Sequence, residues 1–172
     1  MNLHVAVNES DQKQGSSGAP LTLVEYGDYE CPYCGEAYPI IKEIQAYFDD
    51  KLLFVFRNFP LAEMHPHALA AAYVAESAAR QKKFWEVHDL IYENQQDLSS
   101  KQLLNYARSA GADIKKLTAD INSAKIMDKV ESDMESGARS GVNGTPTFFI
   151  NGKRHNGNYE FEALKNALEE LL

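Results

Sequence analysis

Cys31-Pro32-Tyr33-Cys34 holds both cysteines of this 172-residue chain, and the pair falls where an apolar strand gives way to a helix. Leu21-Thr22-Leu23-Val24-Glu25-Tyr26 reads as a buried strand, and the run from Pro32 to about Phe48 reads as a helix. A cysteine at such a junction faces N–H groups that lack an intrahelical partner and the positive end of the helix dipole. Both favour the thiolate, the species that reacts in disulfide exchange. Cys34 lies one turn further on, within reach of a disulfide to Cys31.

The segments around this junction predict a split sheet. Leu52–Phe59 is a second apolar strand, so strand, helix and strand form a βαβ unit with a parallel pair and a right-handed crossover. From His65 to about Ser140 the apolar spacing becomes helical, as in Phe84, Val87 and Ile91 or Ile126, Val130 and Met134. This stretch predicts four or five helices, with Ser99 or Ser100 and Asp113 as N-caps and Gly111 just past a helix end. Thr147–Ile150 then reads as a strand, Asn151-Gly152 as a two-residue hairpin turn, and Lys153–His155 as its partner. An amphipathic helix from Tyr159 to Leu172 closes the chain. At the other end, Leu3–Val7 predicts a short edge strand, and Gly15–Pro20 a loop. The expected division is an edge strand and flexible connector over 1–20, a sheet domain over 21–62 and 141–172, and a helical insertion over 63–140.

Composition narrows the function classes. A formal net charge of −8, with Lys and Arg scattered, disfavours nucleic acid as a partner. No apolar run approaches the length of a membrane span. Met1–Val7 lacks the features of a secretory signal. The expected compartment is the cytoplasm if the chain is the whole protein, and the periplasm if a signal has been removed. Two cysteines in one motif leave no disulfide framework. No cofactor and no metal are expected. No segment reads as a dimerisation module, and a monomer is expected.

The layout resembles the thioredoxin fold and, within it, the DsbA-like thiol–disulfide oxidoreductases. Five features carry the resemblance over roughly residues 20–172. They are CPYC opening the first long helix, Pro39 within that helix, Glu25 six residues before Cys31, Gly144-Thr145-Pro146-Thr147 before the last hairpin, and a helical insertion between the halves. Phe56-Arg57-Asn58-Phe59-Pro60-Leu61 with His65-Pro66-His67 looks like a bacterial subgroup of that family. The resemblance implies an α/β thioredoxin-like fold, a central mixed sheet flanked by helices, with an all-helical insertion. It also implies a protein disulfide oxidoreductase whose substrates are protein thiols and disulfides, recycled by a redox partner.

The resemblance gives each residue an expected role. Cys31 is the nucleophile and Cys34 the resolving thiol, more buried and of higher pKa. Glu25 is a buried acid able to pass a proton to Cys34; a solvent-facing strand-end carboxylate is the alternative. Pro32 suits the first helical turn, where its missing N–H costs nothing. Pro146 is expected to be cis and to present Thr145 to an extended substrate, with Pro32 and Tyr33 completing the binding surface. The best-known periplasmic oxidases of the family carry His where Tyr33 stands, so a less stabilised Cys31 thiolate is expected. The expected potential is roughly −150 to −230 mV. His65 and His67 are read as lining the active face, binding metal or capping a helix, and His88 as a half-buried packed histidine.

Rival readings use the same residues. Pro32-Tyr33 is also typical of glutaredoxins, which makes glutathione-linked oxidoreductase or transferase chemistry an alternative. Cys31, Cys34, His65 and His67 have the chemistry of a Cys₂His₂ zinc site. A redox sensor that uses the dithiol without turnover is the third.

Overall fold

The computed structural model describes residues 1–172. Its five strands are β1 (Gln12–Gly15), β2 (Leu21–Gly27), β3 (Leu52–Asn58), β4 (Thr147–Ile150) and β5 (Lys153–Arg154), in the spatial order β1-β3-β2-β4-β5. Only β2 and β3 run parallel; β1 on β3, β4 on β2 and β5 on β4 are antiparallel. The parallel pair is joined by α1 (Pro32–Phe48) and a short 3₁₀ turn. Five helices separate β3 from β4: α2 (Ala68–Ala79), α3 (Phe84–Glu93), α4 (Ser100–Ser109), α5 (Ile114–Ile121) and α6 (Ala124–Arg139). Helix α7 (Phe161–Glu169) closes the chain beside α1. This mixed sheet flanked by helices is the thioredoxin-like architecture that the resemblance implies.

Strand periodicity divides the core. Leu21 and Leu23 on β2, Phe54 and Phe56 on β3, and Phe148 and Ile150 on β4 enter the larger apolar cluster, which α1, α7 and the inserted helices cover. Their neighbours Val24, Tyr26, Leu53, Val55 and Phe149 form a smaller cluster on the opposite face. Glu25 alternates with Val24 and Tyr26, so it points with Leu23 toward the larger cluster, the side on which α1 lies. From α1, Cys34, Ala37, Ile41, Ile44 and Phe48 reach the core at three- and four-residue intervals. Pro39 lies within α1 and removes one interior N–H.

Local signals explain the helix ends and the last turn. Ser99 accepts from the N–H of Gln102 and Asp113 from that of Lys116, as N-caps do. Gly111 has φ +95° after α4, where a side chain would be strained. Asn151 and Gly152 both have positive φ, the requirement of a type I′ hairpin.

The N-terminal segment departs from expectation. Leu3–Val7 forms no strand; the edge strand is Gln12–Gly15, inside the stretch expected to be a flexible connector. Buried Arg57 explains the difference: it donates to the carbonyl oxygens of Val5 (2.9 Å) and Ala6 (3.2 Å), which are then unavailable to a ladder. The segment instead drapes over the smaller cluster, packing Leu3 and Val7 against it. Its sheet-like contact is a single bridge from Asn2 to Lys153.

Candidate active site

The dithiol stands on the turn that follows the central strand. β2 ends at Gly27, the chain turns through Asp28, Tyr29 and Glu30, and Cys31 is the N-cap of α1 with extended backbone (φ −70°, ψ 123°). The Cys31 N–H donates to the carbonyl of Asp28 (3.1 Å), and its carbonyl accepts from the N–H of Gly35 (3.1 Å). No side-chain oxygen caps this helix, and Pro32 offers no N–H, so the sulfur of Cys31 meets the open first turn. Both cysteines are free; Cys31 is 4% exposed and Cys34 0%, while Tyr33 between them is 62% exposed.

The two sulfurs are electrostatically unequal. The Cys31 thiol is pulled down to about 5, first by a hydrogen bond from Cys34, then by Thr145 and the N–H groups of Cys34 and Tyr33, which together outweigh burial. Tyr33 thus contributes through its backbone, and a low pKa arises without the histidine of the strong oxidases. Burial pushes the Cys34 thiol well up, helped by its hydrogen bond to Cys31 and by the charges of Glu25 and Cys31.

Thr145 approaches from the other side of the fold. The Thr145–Pro146 bond is cis, and the Thr145 carbonyl lies 3.5 Å from the sulfur of Cys31, as acceptor for its thiol. The Thr145 hydroxyl is buried without a partner. When Cys31 is a thiolate, that hydroxyl is the group free to donate to it.

Glu25 is buried, not solvent-facing, and burial followed by the charge of Cys31 raises its carboxyl to about 8. At neutral pH it is mostly protonated, within electrostatic range of both sulfurs. Between its ordinary value and 8 the folded state holds an extra proton, so stability from this group falls as pH rises across that window. Glu25→Gln is expected to remove an inflection near pH 8 from the pH profile of disulfide reduction, followed by stopped-flow fluorescence. An unchanged profile would leave Glu25 with no part in proton transfer.

Asp28 and Gln95, which lie outside the sequence motifs, also hold the turn that carries the dithiol. The buried carboxylate of Asp28 accepts from the N–H of Glu30 (2.8 Å), the N–H of Leu61 (2.9 Å) and Nδ1 of His65 (2.8 Å). Its own N–H points to the sulfur of Cys34 at 3.5 Å. Asp28 therefore ties the dithiol turn to the loop after β3. An Asp two residues before the N–H it accepts from is a recognisable turn signal. Gln95 donates to the carbonyls of Tyr29 and Cys31, and no local signal marks it.

The histidines separate. His65 joins the site through Asp28, and that carboxylate and the charge of Cys31 raise its pKa against burial. His67 precedes α2 without capping it through its side chain; its N–H donates to Glu30. No three His, Cys, Asp or Glu side chains gather as metal ligands. His88 is fully buried, its Nδ1 3.0 Å from the Tyr29 hydroxyl, and burial holds it neutral.

The structure thus brings a two-cysteine helix start against a loop with a cis proline. The family model described as Thioredoxin matches residues 8–170, and the chain belongs to that family. Among solved structures it is similar to oxidised BdbD from Bacillus subtilis, with 25% identity and TM-score 0.85 over 95% of this chain and 93% of that one. It is also similar in fold to alpha-DsbA1 from Wolbachia pipientis (24% identity, TM-score 0.81, 98% and 94% covered). A thioredoxin-like oxidoreductase from Silicibacter pomeroyi shares the fold too (24%, TM-score 0.86, 95% and 92%). These neighbours share the fold of this chain over nearly its whole length. Among curated proteins, the Na(+)/H(+) antiporter NhaA 1 of Mycolicibacterium gilvum is 44% identical over 163 residues, covering 94% of this chain and 26% of the antiporter. NhaA 1 of Salinispora arenicola is 41% identical over 160 residues. The chain spans about a quarter of the length of these curated relatives. No helix is long and apolar enough to cross a membrane.

Proposed function

We propose that the chain is a thiol–disulfide oxidoreductase that exchanges disulfides with protein cysteines, with Cys31 as nucleophile and Cys34 as resolving thiol. The observation that carries this reading is the placement of the pair: Cys31 is the uncapped N-cap of α1 with its sulfur 3.5 Å from the Thr145 carbonyl beside a cis proline, and Cys34 is fully buried behind it. In the oxidising direction a substrate thiolate attacks Cys31 of the Cys31–Cys34 disulfide. The S–S bond breaks, a mixed disulfide forms, and Cys34 leaves as a thiolate that takes a proton from Glu25. A second substrate thiolate then attacks the substrate sulfur, forming the substrate disulfide and releasing the Cys31 thiolate. Reduction is the reverse, and the direction depends on the potential against the compartment's poise. Thr145 and Pro146 would pair with the main chain of an extended substrate while Pro32 and Tyr33 flank it, which accounts for tolerance of many sequences. In the same reading residues 63–140 are an insertion in the sheet domain of 21–62 and 141–172.

The test is trapping and titration together. Cys34→Ala is expected to accumulate mixed disulfides at Cys31 with thiol-containing proteins, and Cys31→Ala none. Equilibration with glutathione is expected to give a potential of roughly −150 to −230 mV. A value near about −270 mV, the thioredoxin end, would overturn the intermediate assignment. Glutathione conjugation that survives Cys34→Ala would favour the glutathione-linked alternative.

A second reading rests on the match to a quarter of each antiporter: the domain serves as a redox module beside a membrane transporter. Cys34→Ala traps made with membrane extracts would then be enriched in transporter polypeptides identified by mass spectrometry.

A further inference from the structure

We propose that Gln95 is a positioning residue of the dithiol, reaching from the helical insertion to fix the backbone turn that carries Cys31. Its Nε2 donates one hydrogen to the Cys31 carbonyl (2.7 Å) and the other to the Tyr29 carbonyl (2.9 Å). One amide thus satisfies two carbonyls on either side of Glu30, with both of its donors used. The root of the side chain is held as well. Asn94 N–H donates to the Ile91 carbonyl, Asn94 Nδ2 to the Leu90 carbonyl, and Asp97 N–H to the Asn94 carbonyl. Gln95 therefore projects from an anchored turn at the end of α3.

Gly35 provides the space. A Cβ built there would stand 2.2 Å from Oε1 of Gln95 and 2.9 Å from its Cδ. Gly35 is inside α1, where glycine is less favourable than alanine. Its N–H also donates to the Cys31 carbonyl that Gln95 holds. The α1 glycine and the insertion glutamine thus form one device: the first leaves a slot in the helix, and the second fills it with an amide.

The consequence for chemistry follows from the N-cap. With Pro32 lacking an N–H, the sulfur of Cys31 relies on the N–H groups of Tyr33 and Cys34, on Cys34 itself and on Thr145. Whether the sulfur meets those donors depends on the backbone orientation of Cys31, and the Cys31 carbonyl reports that orientation. Holding the carbonyl holds the sulfur in register with its donors. The titratable groups that interact with Cys31 are Cys34, Glu25, His65 and Tyr159, and altering Gln95 or Gly35 removes none of them.

The proposal rests on Cys31 being the reactive thiol, and its test does not require exchange activity. The pH dependence of iodoacetamide alkylation of Cys31 is measured in reduced wild type, Gln95→Met, Gly35→Ala and the double variant. Gln95→Met keeps the length and removes the donors. Gly35→Ala keeps Gln95 and closes its slot. Each single variant is expected to raise the midpoint by about one unit, a roughly tenfold loss of thiolate preference. The double variant should match the singles, because both break the same contact. Gly35→Ala should also leave thermal stability unchanged or raised, which separates positioning from damage to the fold. Unchanged midpoints in both singles, or shifts that add in the double, would overturn the proposal. Failure of protein exchange with these midpoints shifted as expected would count against the proposed function alone.

Discussion

Alkylation of Cys31 in the reduced protein is expected to titrate with a midpoint near pH 5 rather than near 9. The sign follows from the direction of the shift. A thiol whose pKa is lowered by folding stabilises the folded reduced protein above its unfolded pKa, and that contribution is lost as pH falls through the folded value. The shift therefore stabilises the reduced form relative to the disulfide at neutral pH, and that contribution is lost toward pH 5. Reference dithiols bracket this value, with thioredoxin near about 7 and the strong oxidase DsbA near about 3.5. Thr145→Val keeps the shape beside Cys31 and removes the unpartnered hydroxyl. It is expected to raise the midpoint by about one unit, the scale of one hydrogen bond to a charged group. Iodoacetamide kinetics across pH 3–10 would read both values, using Cys34→Ala only as a cross-check because Cys34 is itself the largest stabiliser. A wild-type midpoint above about 8 would remove the thiolate from the proposed mechanism.

Arg57→Met is expected to destabilise the fold by about 3–5 kcal/mol, more than a substitution at the dithiol surface. Arg57 is 1% exposed and uses all five of its donors. Two go to the Asp11 carboxylate (2.8 and 2.9 Å), two to the carbonyls of Val5 and Ala6, and one to the Tyr26 hydroxyl (2.9 Å). Removing the guanidinium leaves the buried carboxylate of Asp11 without its counter-charge and two carbonyls without donors. Burial alone would raise Asp11, yet its hydrogen bonds to Arg57 and Asn8 hold it below the usual carboxylate range. Its contribution is thus present above the unfolded value and lost as pH falls through the lower folded value. Urea unfolding at neutral pH should show a lower midpoint with an unchanged slope, and the loss should shrink at acid pH. A change below about 1 kcal/mol would show that the pair contributes little beyond its own desolvation cost.

Much of this site was legible because its chemistry is local. Cys31, Pro32 and Cys34 lie within four residues, and Glu25 was reached through the family resemblance, six residues before Cys31. The hairpin was legible because Asn151-Gly152 supplies two positive φ values in a row. The parts that escaped are long-range polar contacts. Gln95 acts 64 residues from Cys31, and Asp28 joins His65 across 37. The edge strand was misplaced for the same reason. Leu3–Val7 has the right alternation, but the partner that claims its carbonyls, Arg57, lies about fifty residues away and reads as an ordinary strand arginine until its surroundings are known.

The inequality of the two sulfurs also sets the proton count of the reaction. From about pH 5 to below the titration of Glu25 near 8, the reduced pair carries one proton, on Cys34, while Cys31 is bare. Reducing the disulfide there takes up two electrons but one proton. The potential of such a couple drifts by about 30 mV per pH unit, half the slope of an ordinary dithiol. The dithiol is thereby partly insulated from swings in ambient acidity.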